Sequence, residues 1–207
     1  MDKIPLDYYQ NTDTLKLAKD LIGKLIFTQI EEGRVCGGMI TETEAYLGAE
    51  DKASHAYNNR RTFRTETMYL PGGVAYIYLC YGIHHLFNIV CNKADIPHAI
   101  LIRGVFPVFG KEIMIKNTGK STPYLLDGPG KLTKALGITT KYNNTHLDGN
   151  IIWLEDHKVK VSDNDIMVTP RVGIDYAGKD SKLPYRFVVK GIKIYANKLP
   201  PHIRQQI

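Results

Sequence analysis

Several stretches of this chain carry residue types at spacings that could do chemistry. Thr41-Glu42-Thr43-Glu44-Ala45-Tyr46 alternates strictly, so the two-residue period of a strand sets Glu42, Glu44 and Tyr46 on one face. Two carboxylates on one face repel; the commonest reading of such a stretch is a solvated edge strand. Ala75-Tyr76-Ile77-Tyr78-Leu79-Cys80-Tyr81-Gly82 places Tyr76 and Tyr78 on one face and Tyr81 at a predicted hairpin tip. This is either an aromatic-lined core or a base-stacking wall with a wedge beside it. Gly128-Pro129-Gly130 ahead of a helix bearing Lys131 and Lys134 leaves free backbone N–H groups at a positive dipole end, which suits a phosphate, although such a triplet is more often merely a turn. His84-His85, flanked by Cys80 and Cys91, raises a metal site, but neighbouring strand residues face opposite ways and do not converge on one ion.

The elements that must position these residues follow from periodicity and breakers. Thr12 to Lys24 reads as a helix with Leu15, Ala18, Leu21 and Ile22 on one stripe, Thr12 or Asp13 as N-cap and Gly23 as its stop. Lys24 to Gln29 and Val35 to Tyr46 read as a hairpin turning at Glu31-Glu32-Gly33-Arg34. Leu47 to Thr67 is polar and aperiodic, a long loop of the kind that carries function. Val74 to Cys80, His84 to Cys91 and Ala99 to Val105 follow as strands, the last apolar except for Arg103. Gly110 to Asn117 and Lys131 to Leu136 read as helices, and Ile151 to Leu154, Val159 to Val161 and Arg186 to Val189 as short strands. Thr169 to Gly178 holds too many breakers for a regular element. The expected class is α+β, a single domain over residues 1–207 with a curved, mainly antiparallel sheet and peripheral helices.

Composition narrows the function. At 207 residues with no internal repeat or linker, the chain can bury one sizeable core. Its longest apolar run, Val74 to Tyr81, is too short to span a bilayer, and the opening Met1-Asp2-Lys3-Ile4-Pro5 lacks a basic stretch leading into an apolar one. A cytoplasmic protein without a membrane partner is expected. Three cysteines, Cys36, Cys80 and Cys91, with no close pair argue against disulfides and structural zinc. A net charge of +6 and 13 tyrosines make a polyanionic, stackable partner plausible.

Taken in order, Thr41 to Gly48, Glu50-Asp51, Ser54-His55, Tyr78-Leu79-Cys80-Tyr81-Gly82, Asn88, Leu101-Ile102-Arg103, Gly128-Pro129-Gly130-Lys131-Leu132, Arg171-Val172-Gly173 and Arg186-Phe187 resemble the alkyladenine (3-methyladenine, methylpurine) DNA glycosylase family. The likeness runs from about Asp13 to Gly191, and its ordered extent makes it far more specific than any one motif. It implies one mixed α/β domain that flips a damaged purine from duplex DNA and hydrolyses its N-glycosidic bond without metal or other cofactor.

Residue by residue, the resemblance implies that Glu44 is the general base activating water for attack on C1′, with the Arg103 guanidinium and the Val172 backbone carbonyl positioning that water. A carboxylate near a cation in an otherwise apolar strand is a ready proton acceptor, worth roughly 10²–10⁴-fold in rate. Tyr46, His55 and Tyr78 match the aromatics that sandwich the flipped base, the His55 N–H also reading the purine edge. Tyr81 matches the intercalating wedge, and Asn88 the residue that crowds the N2 amino group of guanine. Arg64, Gly128 and Lys131 are the expected contacts to the DNA backbone. The implied partner is damaged double-stranded DNA; the sequence does not set the oligomeric state, for which a monomer is the default.

The chain departs from the family pattern at Thr62-Phe63-Arg64, where Thr-Pro-Arg is common, and in a longer Asn92–Pro97 loop; both bear on DNA contacts rather than on chemistry. A non-catalytic damage-binding protein would not need the set Glu44, Arg103 and Asn88. A small-molecule enzyme, formyltransferase-like, would need neither a wedge at Tyr81 nor the positive charge. 3-Methyladenine, 7-methylguanine, hypoxanthine and ethenoadenine all fit this class of pocket. No lysine falls among the matched base-pocket positions, so a monofunctional enzyme is expected.

Overall fold

The computed structural model describes residues 3–120 and 126–203; Met1 and Asp2 of the opening segment lie outside them. In chain order the regular elements are α1 (Leu6–Tyr9), α2 (Thr14–Asp20), β1 (Leu25–Glu31), β2 (Arg34–Tyr46), β3 (Ala75–Cys80), β4 (His84–Cys91), β5 (His98–Phe109), α3 (Lys111–Thr118), β6 (Leu126–Asp127), α4 (Pro129–Leu136), β7 (Ile152–Glu155), β8 (Ile166–Thr169), β9 (Arg186–Val189) and α5 (Ile192–Ala196). The fold is α+β. No helix among the described residues is long and apolar enough to cross a membrane.

Antiparallel pairing orders the sheet β3-β4-β5-β2-β1-β7, with β9 on β2, β8 on β9 and β6 on β5. β2 is the spine. One side pairs with β5 from Gly37 to Tyr46, while the other passes from β1, whose pairing reaches as far as Met39 of β2, to β9, which takes Glu42 to Glu44. Register shifts in the β2–β5 ladder on either side of Glu42 mark bulges, which add twist and curl the sheet. Gly104 sits opposite this irregularity, and a Cβ there would come within 2.5 Å of Thr41 Oγ1.

Period two sorts the sheet's faces. Ala75, Ile77, Phe87, Ile89, Ile100 and Ile102 join the main core with Leu17 and Leu21 beneath and Leu132 and Leu136 of α4 alongside. The alternate residues Tyr76, Val90 and Ala99 turn to the opposite face and pack in a smaller cluster with Met68 and Tyr69. On β2, Thr43 donates to the Ala18 carbonyl at 2.8 Å on the core side, so Glu42, Glu44 and Tyr46 are left to the other face.

Several expectations need correction. The first helix is shorter than Thr12 to Lys24: Asp13 caps it by accepting from the Lys16 N–H at 2.9 Å, and it ends at Asp20. Leu21 to Gly23 form a turn, Gly23 carrying a φ of +89°. Val159 to Val161 takes no regular form. β8 was hidden because its side chains show no clean alternation of burial, and Asp175–Lys182 winds as 3-10 turns despite its breakers. The segment read as a featureless loop holds short 3-10 turns at Gly48–Glu50, Tyr57–Asn59 and Glu66–Tyr69.

Candidate active site

The acidic pair of β2 is inside the protein. Glu44 is 0% exposed and Glu42 8%, because β2 is flanked on both sides, which rules out the solvated edge strand. A buried carboxylate must find donors. Glu44 Oε1 accepts the Val172 N–H at 2.8 Å, and Oε2 accepts the Tyr46 hydroxyl at 2.8 Å. Arg103 Nε lies 3.4 Å from Glu44 Oε1 but donates at 2.7 Å to Glu42 Oε1, the oxygen that also accepts Arg186 Nε at 2.6 Å. The arginine inside an apolar strand is thereby explained: β5 runs against β2 and brings Arg103 to both carboxylates. Burial pushes the Glu44 carboxyl above its ordinary range, against the pull of Arg103, the Val172 N–H and the Tyr46 hydroxyl.

Val172 is held in place by its neighbour. Arg171 is buried and forks onto Asp51, Nη1 to Oδ2 at 2.5 Å and Nη2 to Oδ1 at 2.8 Å, while Nη1 also donates to the Ala45 carbonyl at 2.8 Å. Asp51 in turn accepts the Leu47 and Ala53 N–H groups at 3.1 and 2.9 Å. This pair ties the loop after β8 to the segment after β2, and the guanidinium lies 4.6 Å from the centre of the Tyr46 ring. Sequence reasoning assigned no role to Arg171, Glu42 or Arg186 and did not pair Asp51 with anything.

A cleft of about 680 Å³ opens beside these groups. Tyr46, His55, Tyr78, Asn88, Arg103 and Val172 all line it, whereas Glu44 stands behind the wall made by its own three partners. The His55 and Tyr78 rings meet edge to face with centroids 4.6 Å apart. His55 Nδ1 lies 2.8 Å from the Tyr76 hydroxyl, and Nε2 lies 3.4 Å from an Arg64 terminal nitrogen. A guanidinium only donates, so Nε2 accepts and the ring's single proton sits on Nδ1, bonded to Tyr76. Burial, then the charges of Arg64 and Arg60, lower the His55 pKa from 6.5 to about 4, and the ring is neutral at pH 7. Asn88 is buried and anchored by donation to the Tyr76 carbonyl at 3.1 Å.

The other expected contacts surround the cleft. Tyr81 and Gly82 form the β3–β4 turn with φ of +50° and +73°, and the Tyr81 ring is 90% exposed. A left-handed tyrosine is uncommon and costs energy, so its presence at a tip marks a constrained position. Gly128 and Lys131 also line the cleft, where the Lys131 ammonium pairs with Asp127 at 2.8 Å. Arg64 turns inward, its guanidinium 4.8 Å from the Tyr78 ring centre. His84 packs against Gly130 and His85 Nδ1 accepts the Thr140 N–H at 3.2 Å, so the two histidines serve different neighbours. Among the described residues no three His, Cys, Asp or Glu side chains gather in a metal-holding group. The arrangement as a whole is an aromatic-lined cleft with a proton acceptor behind one wall and cations near its rim.

Residues 7–193 match the model of the methylpurine-DNA glycosylase family. Among curated relatives, a protein of Chlamydia felis assigned as a 3-methyladenine DNA glycosylase is 45% identical over 189 residues, 90% of this chain and 95% of that one. Similarly assigned proteins of Bacillus licheniformis and Clostridium novyi are 42% and 38% identical, covering 92% and 96% of this chain and 94% and 100% of their own lengths.

Proposed function

This chain belongs to the methylpurine-DNA glycosylase family and is a hydrolase of N-glycosidic bonds, and from that premise we propose that it excises 3-methyladenine and related alkylated or deaminated purines from duplex DNA. The observation that carries the reading is the placement of Glu44, buried and held by Tyr46, Val172 and Arg103, next to a slot walled by Tyr46, His55 and Tyr78.

In the proposed course Tyr81 enters the base stack as the damaged nucleotide turns out of the duplex. Flipping costs a few kcal/mol, and stacking in the slot contributes about 1–3 kcal/mol per base face to offset it. The electron-rich rings favour a cationic alkylpurine over a neutral normal base. Neutral His55 adds no repulsive charge, and Asn88 crowds the N2 amino group of guanine. Water attacks C1′ as its proton passes to Glu44; the C1′–N bond breaks with its electron pair leaving on the purine, so a cationic lesion departs as a neutral base. Arg103 and the Val172 backbone position the attacking water. Gly128 and Lys131 face the DNA backbone, Lys131 giving up its exposed pairing with Asp127 to do so, and Arg64 reaches it by leaving the Tyr78 ring. The working form is one domain, a monomer without cofactor, acting on DNA in the cytoplasm.

The test is incubation of the protein with an alkylated duplex and with one bearing a single hypoxanthine. Release of free base, with strand breaks only after alkali or heat, is the expected result and identifies a monofunctional glycosylase. Lesion binding without base release would instead identify a damage-binding protein, and breaks without alkali would identify a lyase.

A further inference from the structure

Beneath Glu44 lies a group of charges that the proposed chemistry does not yet use. Glu42, two residues earlier on the same face of β2, receives the Nε–H groups of two arginines on one oxygen, Arg103 of β5 at 2.7 Å and Arg186 of β9 at 2.6 Å. Arg186 is steadied from β8 by Thr169, whose hydroxyl accepts its Nη1 at 3.2 Å. Glu44 holds the same Arg103 Nε only at 3.4 Å. Two carboxylates thus compete for one guanidinium, and the nearer carboxylate is the one with no contact to the slot's wall through Tyr46 or Val172.

We propose that Glu42 and Arg186 are positioning residues: Glu42, anchored by Arg186, holds the Arg103 guanidinium off Glu44 and so leaves Glu44 free to accept a proton. The proposal rests on the reading of Glu44 as the general base. A carboxylate in a full charge-assisted bond with arginine is a weak base, because protonating it sacrifices that bond. Glu42 takes this bond on itself, at an oxygen where a second cation, Arg186, compensates the two negative charges. The four side chains sum to zero, so neither carboxylate faces an unbalanced field.

The arrangement gives the two residues opposite effects on the same quantity. Glu42→Gln removes a negative charge near Glu44 and releases Arg103 to pair with it; both changes make Glu44 a weaker base. Arg186→Gln removes a positive charge and leaves Arg103 as Glu42's remaining partner, held further from Glu44; both changes make Glu44 a stronger one. The charged and polar groups facing Glu44 are Glu42 and Tyr46 on its own strand, Arg103 from β5, Arg186 through Glu42 from β9, and Arg171 with the Val172 N–H from the loop after β8.

The experiment is the pH dependence of single-turnover excision of a cationic alkylpurine from duplex DNA by the full chain and both variants, with folding checked by thermal unfolding. The acid limb of the profile is expected about one pH unit lower in Glu42→Gln and displaced upward in Arg186→Gln, the span that a neighbouring charge commonly produces. Glu42→Asp, which restores the charge one methylene short, is expected to return most of the Glu42→Gln displacement. A merely structural role would lower the rate without moving the limb, or would move it the same way in both variants, and either outcome overturns the proposal. Should Glu42→Gln fail to fold, the partly exposed Arg186 carries the test alone, an unmoved or lowered limb overturning it. Glu44→Gln run in parallel separates the two readings: if it retains excision, the base assignment fails; if it is inactive and the limbs stay put, the assignment stands and the positioning role fails.

Discussion

Tyr46 forms one wall of the slot with its ring and, through its hydroxyl, donates to Glu44 Oε2 at 2.8 Å. One side chain therefore couples the part of the site that would hold the base to the part that would break its bond. The two duties separate by substitution. Tyr46→Phe keeps the ring and removes a donor that favours the ionised carboxylate, so Glu44 becomes harder to ionise. Lesion affinity is expected to stay within about twofold while the acid limb of excision moves up in pH; Tyr46→Leu, which also loses the ring, is expected to weaken lesion binding by roughly 1–3 kcal/mol. Equilibrium binding alongside single-turnover rates checks both.

Asp51 and Arg171 form a fully desolvated pair, and breaking one partner strands the other's charge. Asp51→Asn is expected to destabilise the fold by about 3–5 kcal/mol, a loss read directly by urea unfolding. A change below about 1 kcal/mol would mean that water reaches Arg171 and that the loop carrying Val172 is not fixed by this pair.

His55 gives stability a pH dependence of known sign. Its folded pKa of about 4 is below the ordinary 6.5, so protons bind the unfolded chain more tightly. The contribution is whole above about pH 6.5 and is lost as pH falls toward 4, on the order of 2 kcal/mol after allowing for water at the ring's edge. His55→Gln, which does not titrate, is expected to lose less stability than the parent between pH 7 and 4.5 in thermal melts. Parallel curves would place the ring in contact with bulk water.

The chemistry was legible where it obeyed short-range rules. Strict alternation put Glu42, Glu44 and Tyr46 on one face, and the aromatic run before Tyr81-Gly82 located both the slot wall and the turn. What could not be read were partners brought together by topology: Arg171 meets Asp51 and Arg186 meets Glu42 across more than a hundred residues, and nothing local marks either arginine. Arg103 was visible as an anomaly, a cation in an apolar strand, but the carboxylate it prefers was not, because Glu42 and Glu44 are equivalent until β9 arrives to claim one of them. β5 extends to Phe109 through Gly104 and Pro107 because bulges in the β2–β5 ladder absorb residues that otherwise end a strand.

Tyr81 sits where asparagine or glycine would be more comfortable. Tyr81→Asn relieves the left-handed strain and removes the exposed ring, so the melting temperature is expected to rise slightly while excision falls several-fold. A gain in stability joined to a loss of activity is the signature of a residue kept for function. Excision at the parental rate would assign the wedge elsewhere on the cleft's rim.

The most direct measurement is single-turnover excision of one cationic alkylpurine from a defined duplex by Glu44→Gln, with duplex affinity determined on the same preparation. The substitution keeps the side chain's shape; its amide oxygen still accepts the Val172 N–H, while its NH2 group donates to the Tyr46 oxygen in place of accepting from it, and the amide cannot take a proton from water. Excision is expected to fall by at least about 10²-fold with affinity nearly unchanged. Turnover close to that of the parent chain would contradict the assignment of Glu44 as the base.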